Sequence, residues 1–143
     1  QYIFTVKVGE ETQQRTNFSN NKFNKLSKIN IEKSLKIGDE ISGHFVYGHV
    51  DCTTNITNIK QLDNSWEFYF QNFHTKEKNF IVEKGSIAIN GISLTIAKED
   101  SDNFSISVIP HTYSNTNLKY LEINDIVNIE FDYLARFSMK DKF

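Results

Sequence analysis

Apolar and polar residues alternate with a period of two along much of this chain. Phe104, Ile106 and Val108 are separated by Ser105 and Ser107, and Trp66, Tyr69 and Phe70 crowd the run SWEFYFQNF. Phe4, Val6 and Val8 likewise alternate with Thr5 and Lys7. Successive side chains of a strand point to opposite faces, so each run predicts a half-buried β-strand. In SIAINGISLTIA, Asn90-Gly91 separates two such runs. This dipeptide accepts the positive φ angles of a tight type I′ turn, which predicts a hairpin. Past the turn, Ser93 and Thr95 fall on one face, and Ile92, Leu94 and Ile96 on the other. Short helices are expected in segments such as 23–28 and 119–124.

The pattern also repeats. Residues 4–18 lie on residues 104–118 without a gap, an offset of 104 − 4 = 100. Phe4, Val8, Thr12, Thr16 and Asn17 recur as Phe104, Val108, Thr112, Thr116 and Asn117, while Val6/Ile106, Thr5/Ser105 and Phe18/Leu118 are conservative pairs. After a small length difference the likeness resumes, with Ile29-Asn30-Ile31-Glu32 answering Val127-Asn128-Ile129-Glu130. Leu35 then follows one copy much as Leu134 follows the other. A tandem duplication is the reading. The second copy is preceded by strand-like sequence over residues 43–103 and the first by almost nothing, so the amino-terminal copy is expected to be truncated. The fold class expected is all-β: two tandem small barrels of about six strands each, the first incomplete in this chain. The boundaries expected are 1–37 for the remnant of the first barrel, 38–137 for the complete second barrel and 138–143 for a short tail.

Composition narrows the function. Among 143 residues, 38% are hydrophobic, with 12 Phe and 6 Tyr, enough to build a real core and unlike a disordered chain. Sixteen basic residues are scattered among 18 acidic ones for a net charge of -2, without a basic stripe. That disfavours a small barrel whose partner is nucleic acid. No run approaches the roughly 18 apolar residues of a spanning helix, so no membrane partner is expected. The single cysteine, Cys52, cannot form an intramolecular disulfide. A reduced compartment, the cytoplasm, is the economical inference.

Three segments hold most of the candidate chemistry. Gly43-His44-Phe45-Val46-Tyr47-Gly48-His49-Val50-Asp51-Cys52 gathers two imidazoles, a carboxylate and a thiol. On a regular strand His44 and His49 would point to opposite faces, and no further ligand spacing accompanies them, so no metal site is assigned. Lys84-Gly85-Ser86-Ile87-Ala88-Ile89-Asn90-Gly91-Ile92-Ser93-Leu94-Thr95 presents a face of hydroxyls. In Ile109-Pro110-His111-Thr112-Tyr113-Ser114, the proline leaves a strand end and frees backbone groups for a ligand.

Taken in order and with this spacing, GHFVYGHVD, KGSIAINGISLT and IPHTYSNTNL closely resemble the riboflavin synthases, and the duplication resembles their two six-stranded Greek-key barrels. The resemblance runs from about Phe4 to Phe137. It implies dismutation of two molecules of 6,7-dimethyl-8-ribityllumazine, one giving a four-carbon unit to the other to form riboflavin and a diaminopyrimidine. It also implies no metal or redox cofactor, two lumazines per active site formed between neighbouring subunits, and a homotrimer. Carried over by motif, the substrate contacts of the second barrel are Lys84, Ser93, Leu94, Thr95, Ile109, Pro110, His111, Thr112, Tyr113 and Ser114. Those of the first pocket are Gly48, His49 and Val50 from the join and Lys7, Val8, Gly9, Glu10, Glu11 and Thr12 from the first copy.

The resemblance further implies that a proton leaves an acidic methyl group at C7 of the lumazine. Histidine suits that transfer near neutral pH, so His49 is the candidate base and His44 the second choice. Some positions depart from the family pattern. The first-barrel counterpart of NGISLT is absent from this chain, Asn90 stands where an acidic residue is common, and the tail is shorter than the terminal helix associated with trimers. A non-catalytic paralogue that binds a lumazine or flavin on the same fold is the alternative.

Overall fold

Alternation sends one set of side chains to a common interior. In a computed structural model, which describes residues 5–19 and 28–139, six antiparallel strands use it to close a barrel. They are β1 (Cys52–Leu62), β2 (Ser65–Gln71), β3 (Ser86–Ile89), β4 (Ile92–Glu99), β5 (Asn103–Val108) and β6 (Ile126–Phe131). Their order around the barrel is β1-β2-β5-β4-β3-β6, with β6 returning to β1. Because β2 pairs with β5 and β3 with β6, the connections follow a Greek key rather than a simple meander.

Two strands turn the corners. Cys52 to Asn55 of β1 pair with β6, whereas Ile56 to Leu62 pair with β2, and the register shifts between Ile56 and Asn58. Ile92 to Thr95 of β4 pair with β3, and from Ile96 onward the strand pairs with β5, with a shift between Ile96 and Lys98. An extra residue in one strand bends it and sharpens its twist, so each long strand serves two walls and no edge is left open.

Interior positions follow the period of two. Phe68 and Phe70, Ile87 and Ile89, Phe104 and Ile106, and Val127 and Ile129 are fully buried, joined by Ile56, Ile96 and Val108. The rings of Phe70 and Phe104 stack with centroids 5.2 Å apart. Asn90 and Gly91 both take positive φ, 50° and 79°, as the type I′ hairpin requires. The turn is fastened to the next strand as well, since Asn90 N–H donates to Asn128 O at 3.0 Å.

The helices differ from expectation. α1 (Glu10–Arg15), α2 (Pro110–Asn115) and α3 (Tyr133–Met139) run for only six or seven residues, too short to show a helical period in the sequence. Pro110 opens α2 instead of marking an irregular strand end. Its fixed φ suits the first helical position, where an N–H has no partner in the helix. The helix expected over 119–124 is instead a 3-10 turn at Asn117–Tyr120, capped by the Thr116 side chain. Asn124, at φ 74°, then turns the chain into β6. For the helix expected over 23–28, residues 23–27 lie outside the described residues, and Lys28 is not helical.

Phe4 also lies outside the described residues. Of the strand expected from Phe4 to Val8, residues 5–8 pair with no strand among the described residues, and Val6 is 67% exposed. A strand needs a neighbour's backbone, and the described residues offer this segment none. The aligned segments nonetheless share local structure. Each copy has a six-residue helix, then Thr16 or Thr116, then a 3-10 turn, and each threonine hydroxyl donates to the carbonyl four residues back, Thr12 O at 2.6 Å or Thr112 O at 2.8 Å. No helix among the described residues is long and apolar enough to cross a membrane.

Truncating a ring at the centre of this interior tests the packing. Phe70→Ala is expected to cost about 3–5 kcal/mol of unfolding free energy, read from chemical denaturation, whereas a loss below about 1 kcal/mol would show a loosely filled barrel.

Candidate functional site

Residues 43–50 cross the outside of the barrel as an irregular strap rather than a regular strand, turned at Gly43 (φ 88°) and Gly48 (φ 76°). Each fastening point has a side-chain cause. Tyr47 N–H donates to Glu130 Oε1 at 2.7 Å. Val127, Ile129 and Phe131 fill the interior from β6, so Glu130 projects from the outer face, where it is only 7% exposed. Asp51 anchors the end of the strap: its N–H donates to Ile129 O at 2.8 Å, one carboxylate oxygen accepts Phe131 N–H at 2.9 Å, and the other pairs with Arg136 of α3.

The strap separates the two candidate histidines. The His44 backbone N–H donates to Ser93 Oγ at 3.1 Å, and its ring Nδ1 lies 2.7 Å from the same oxygen. His44 Nε2 is buried without a hydrogen-bond partner among the described residues. Gly43 makes this approach possible, because a Cβ there would lie 2.5 Å from Ser93 Oγ and its φ is positive. His49 stays exposed beyond Gly48, with its ring stacked on Tyr47 at 6.2 Å. Regular strand geometry would have put the two imidazoles on opposite faces. The left-handed turn at Gly48 assigns them to different neighbours instead.

A cavity of about 460 Å³ opens between the strap, α1, α3 and the outer face of β6. From the first copy it takes Glu11, Thr12, Arg15 and Thr16; from the strap Tyr47, Gly48, His49, Val50 and Asp51; and from the carboxy-terminal side Glu130, Phe131, Tyr133 and Arg136. Its charges are largely paired internally. Arg15 meets Glu11 at 3.1 Å one helical turn away, and Arg136 meets Asp51. Aromatic walls of Tyr47 and Tyr133, 5.6 Å apart by centroid, with hydroxyl, imidazole and carboxylate groups around them, suit a flat polar heterocycle.

Of the residues singled out from sequence, Glu11, Thr12, Gly48, His49 and Val50 converge on this cavity. Lys7, Val8, Gly9 and Glu10 do not line it; Gly9 precedes α1, and Gly9 O accepts Gln13 N–H at 3.0 Å. Lys84, Ser93, Leu94, Thr95 and residues 109–114 lie elsewhere. Leu94 turns its side chain into the barrel core, and Thr95 is exposed on the opposite face of β4. Ile109, Pro110 and His111 are exposed, while Thr112 O and Ser114 O accept bonds from Thr116 and Lys119. The Tyr113 ring lies flat on Trp66, centroids 3.8 Å apart at 3°, and so serves packing on that face.

Sequence reasoning missed Arg15, Thr16, Tyr47, Asp51, Glu130, Phe131, Tyr133 and Arg136 as lining residues. Asp51 and Tyr47 stood inside a quoted motif and Glu130 closed a repeated one, so a signal was present for those three. Tyr133 and Arg136 sit on α3, which had no signature.

A closed six-stranded Greek-key ring with a cavity beside its β1–β6 seam places the chain among the small antiparallel β-barrels. Residues 47–132 match the family described as Lumazine binding domain, and the chain belongs to that family. It is 40% identical over 134 residues to riboflavin synthase of Actinobacillus pleuropneumoniae, covering 94% of this chain and 61% of the relative. It is 42% identical over 129 residues to riboflavin synthase of Chlamydia muridarum, covering 90% and 62%. The chain thus spans about three fifths of the length of these relatives. Among solved structures, LumP complexed with riboflavin superposes with a TM-score of 0.73 at 23% identity, over 85% of this chain and 64% of that one. LumP complexed with 6,7-dimethyl-8-(1'-D-ribityl) lumazine gives 0.71 at 22%, over 84% and 63%. These two likenesses establish the fold.

Cys52 opens β1 beside Asp51. Burial first, then the charges of Asp51 and Glu77, push its thiol from an ordinary 9.0 up to about 12. The folded chain therefore holds the proton that the unfolded chain releases above pH 9, and stability is expected to fall as pH rises from about 9 towards 12. Cys52→Ala should flatten that decline in denaturation curves across the alkaline range; an unchanged slope would exclude Cys52 as its source.

Proposed function

We propose that this chain is a riboflavin synthase polypeptide, in which two molecules of 6,7-dimethyl-8-ribityllumazine dismutate by moving a four-carbon unit from one to the other. The products are riboflavin and a diaminopyrimidine, and carbon balances because what one molecule loses the other gains. The observation that carries the reading is the convergence of Thr12 from the first copy with Gly48, His49 and Val50 from the join in one cavity. Three ordered motifs and about 40% identity to named riboflavin synthases support it. The cavity volume falls within the roughly 300–1,000 Å³ usual for small-molecule sites.

In this mechanism His49 takes a proton from the C7 methyl group of one lumazine. It is the exposed imidazole lining the cavity, whereas His44 is engaged with Ser93. The resulting carbanion is delocalised over the ring, so a modest base suffices. Holding two identical molecules face to face supplies the orientation that a bimolecular carbon–carbon bond formation lacks in solution. Ser93, Thr95, Thr112 and the backbone near Ile109 serve the second lumazine, with Lys84 toward the ribityl chain. The reaction uses no metal or redox cofactor. In the whole protein, residues 1–37 belong to a first barrel, 38–137 to the second and 138–143 to a tail, and subunits assemble as a cytoplasmic homotrimer whose neighbours complete each site.

Incubation of the protein with the lumazine alone is expected to produce riboflavin fluorescence. Tight binding without turnover would instead assign the chain to the non-catalytic lumazine- or flavin-binding paralogues. His49→Ala should lower kcat on the order of 10²-fold with a much smaller change in KM, and an unchanged kcat would remove His49 from proton transfer.

A further inference from the structure

Asparagines of the two aligned copies exchange hydrogen bonds in a mirrored pattern. The backbone N–H of Asn17 donates to Asn128 Oδ1 at 2.7 Å, and the backbone N–H of Asn117 donates to Asn30 Oδ1 at 2.8 Å. The Asn17 amide donates to Ile126 O at 3.1 Å, and the Asn117 amide to Lys28 O at 3.2 Å. Asn17 aligns with Asn117 and Asn30 with Asn128, and Lys28 and Ile126 each stand two residues earlier. These four bonds therefore form two pairs, each related by interchange of the copies. Asn90, in the β3–β4 hairpin turn, joins both halves: its carbonyl accepts from the Asn30 amide at 3.0 Å, and its Oδ1 accepts Asn128 N–H at 2.9 Å.

The position of these bonds gives them a consequence. Asn17 comes just after α1, which walls the cavity with Glu11, Thr12 and Arg15. Asn117 comes just after α2, which carries the second ligand loop of the proposed function. The far end of each helix is thus held by the other copy. Asn30 is the fuller clamp, since its side chain accepts from Asn117 N–H and donates both amide hydrogens, to Asn117 Oδ1 at 2.9 Å and to Asn90 O. Asn117 is itself buried, so these groups have no ready replacement from water.

We propose that Asn30 and Asn128 are positioning residues for the two ligand loops, each fixing the loop of the opposite copy, so that the register between copies aims both pockets. This rests on the lumazine- or flavin-binding reading for the nature of the ligand. The contacts themselves do not depend on it.

The single tryptophan supplies an independent readout, because Trp66 stacks on Tyr113 of α2 and senses where that helix lies. Riboflavin is titrated into the full chain, its fluorescence quenching gives Kd, and Trp66 emission is recorded without ligand. Asn30→Ala is expected to weaken riboflavin binding roughly tenfold and to shift Trp66 emission, while cooperative unfolding shows an intact barrel. Asn30→Asp keeps the acceptor for Asn117 N–H but, when ionised, turns an oxygen instead of a donor toward Asn90 O. Its affinity should improve as pH is lowered through the carboxyl titration, whereas Asn30→Ala shows no such profile. A folded Asn30→Ala chain with unchanged Kd overturns the proposal, whatever its emission. Should that variant not fold, a flat pH profile for Asn30→Asp overturns it instead. If the unsubstituted chain does not bind riboflavin, the ligand reading fails. Trp66 emission then decides alone whether Asn30 holds α2, and unshifted emission overturns the proposal.

Discussion

The seam between β1 and β6 is the constraint on which the other features depend. Cys52 to Asn55 can reach β6 only because β1 bends at the Ile56/Asn58 irregularity and leaves β2 behind. Closure puts Val127, Ile129 and Phe131 inside, and by the same alternation puts Asn128 and Glu130 outside. Those two outward residues hold the pieces that are not part of the barrel. Glu130 receives the strap at Tyr47, and Asn128 receives the first copy at Asn17. A slip of one residue in β6 would turn the interior set outward and release both.

Polar bonds rather than apolar packing locate the strap and the first copy. Val6, Ile29, Ile31, Leu35 and Phe45 are all more than half exposed, so the described first-copy and strap residues bury little apolar surface there. Their position is set by Tyr47 on Glu130, Asp51 on Phe131 and Arg136, and the asparagine exchange. Directional bonds of this kind contribute about 1 kcal/mol each, but they specify geometry, which a cavity assembled from distant segments requires. The Asp51–Arg136 pair also ties α3 to the end of the strap, and Tyr133 of that helix lines the same cavity as Thr12.

Much of this was legible in the residues themselves. Period-two alternation in Phe104, Ile106 and Val108 and in SWEFYFQNF identifies β5 and β2, because a strand exposes its two faces in strict turn. Asn90-Gly91 identifies the β3–β4 turn, because few other dipeptides accept two positive φ angles at low cost. The alignment of Thr12 with Thr112 foretells the shared threonine bonds that finish α1 and α2. Three helices of six or seven residues were not legible, since fewer than two turns establish no period. The unpaired state of residues 5–8 was not legible either, because alternation reports which faces differ and not whether a neighbouring strand is present.

For the site, Gly48, His49 and Val50 were named through a motif that resembles the riboflavin synthases, and Thr12 through its alignment with Thr112, so the residues could be listed from sequence but not the cavity they line. The sequence by itself determined the strand pattern, the hairpin, the repeat and the composition of those segments, all of which depend on neighbours within a few positions. Only the tertiary structure decided that His44 engages Ser93 while His49 faces a cavity, that Arg136 meets Asp51, and that Asn30 reaches Asn117. These pairings join residues 49 to 87 positions apart. Contacts at such separations follow from how the barrel closes and where its outer face points, which no local pattern encodes.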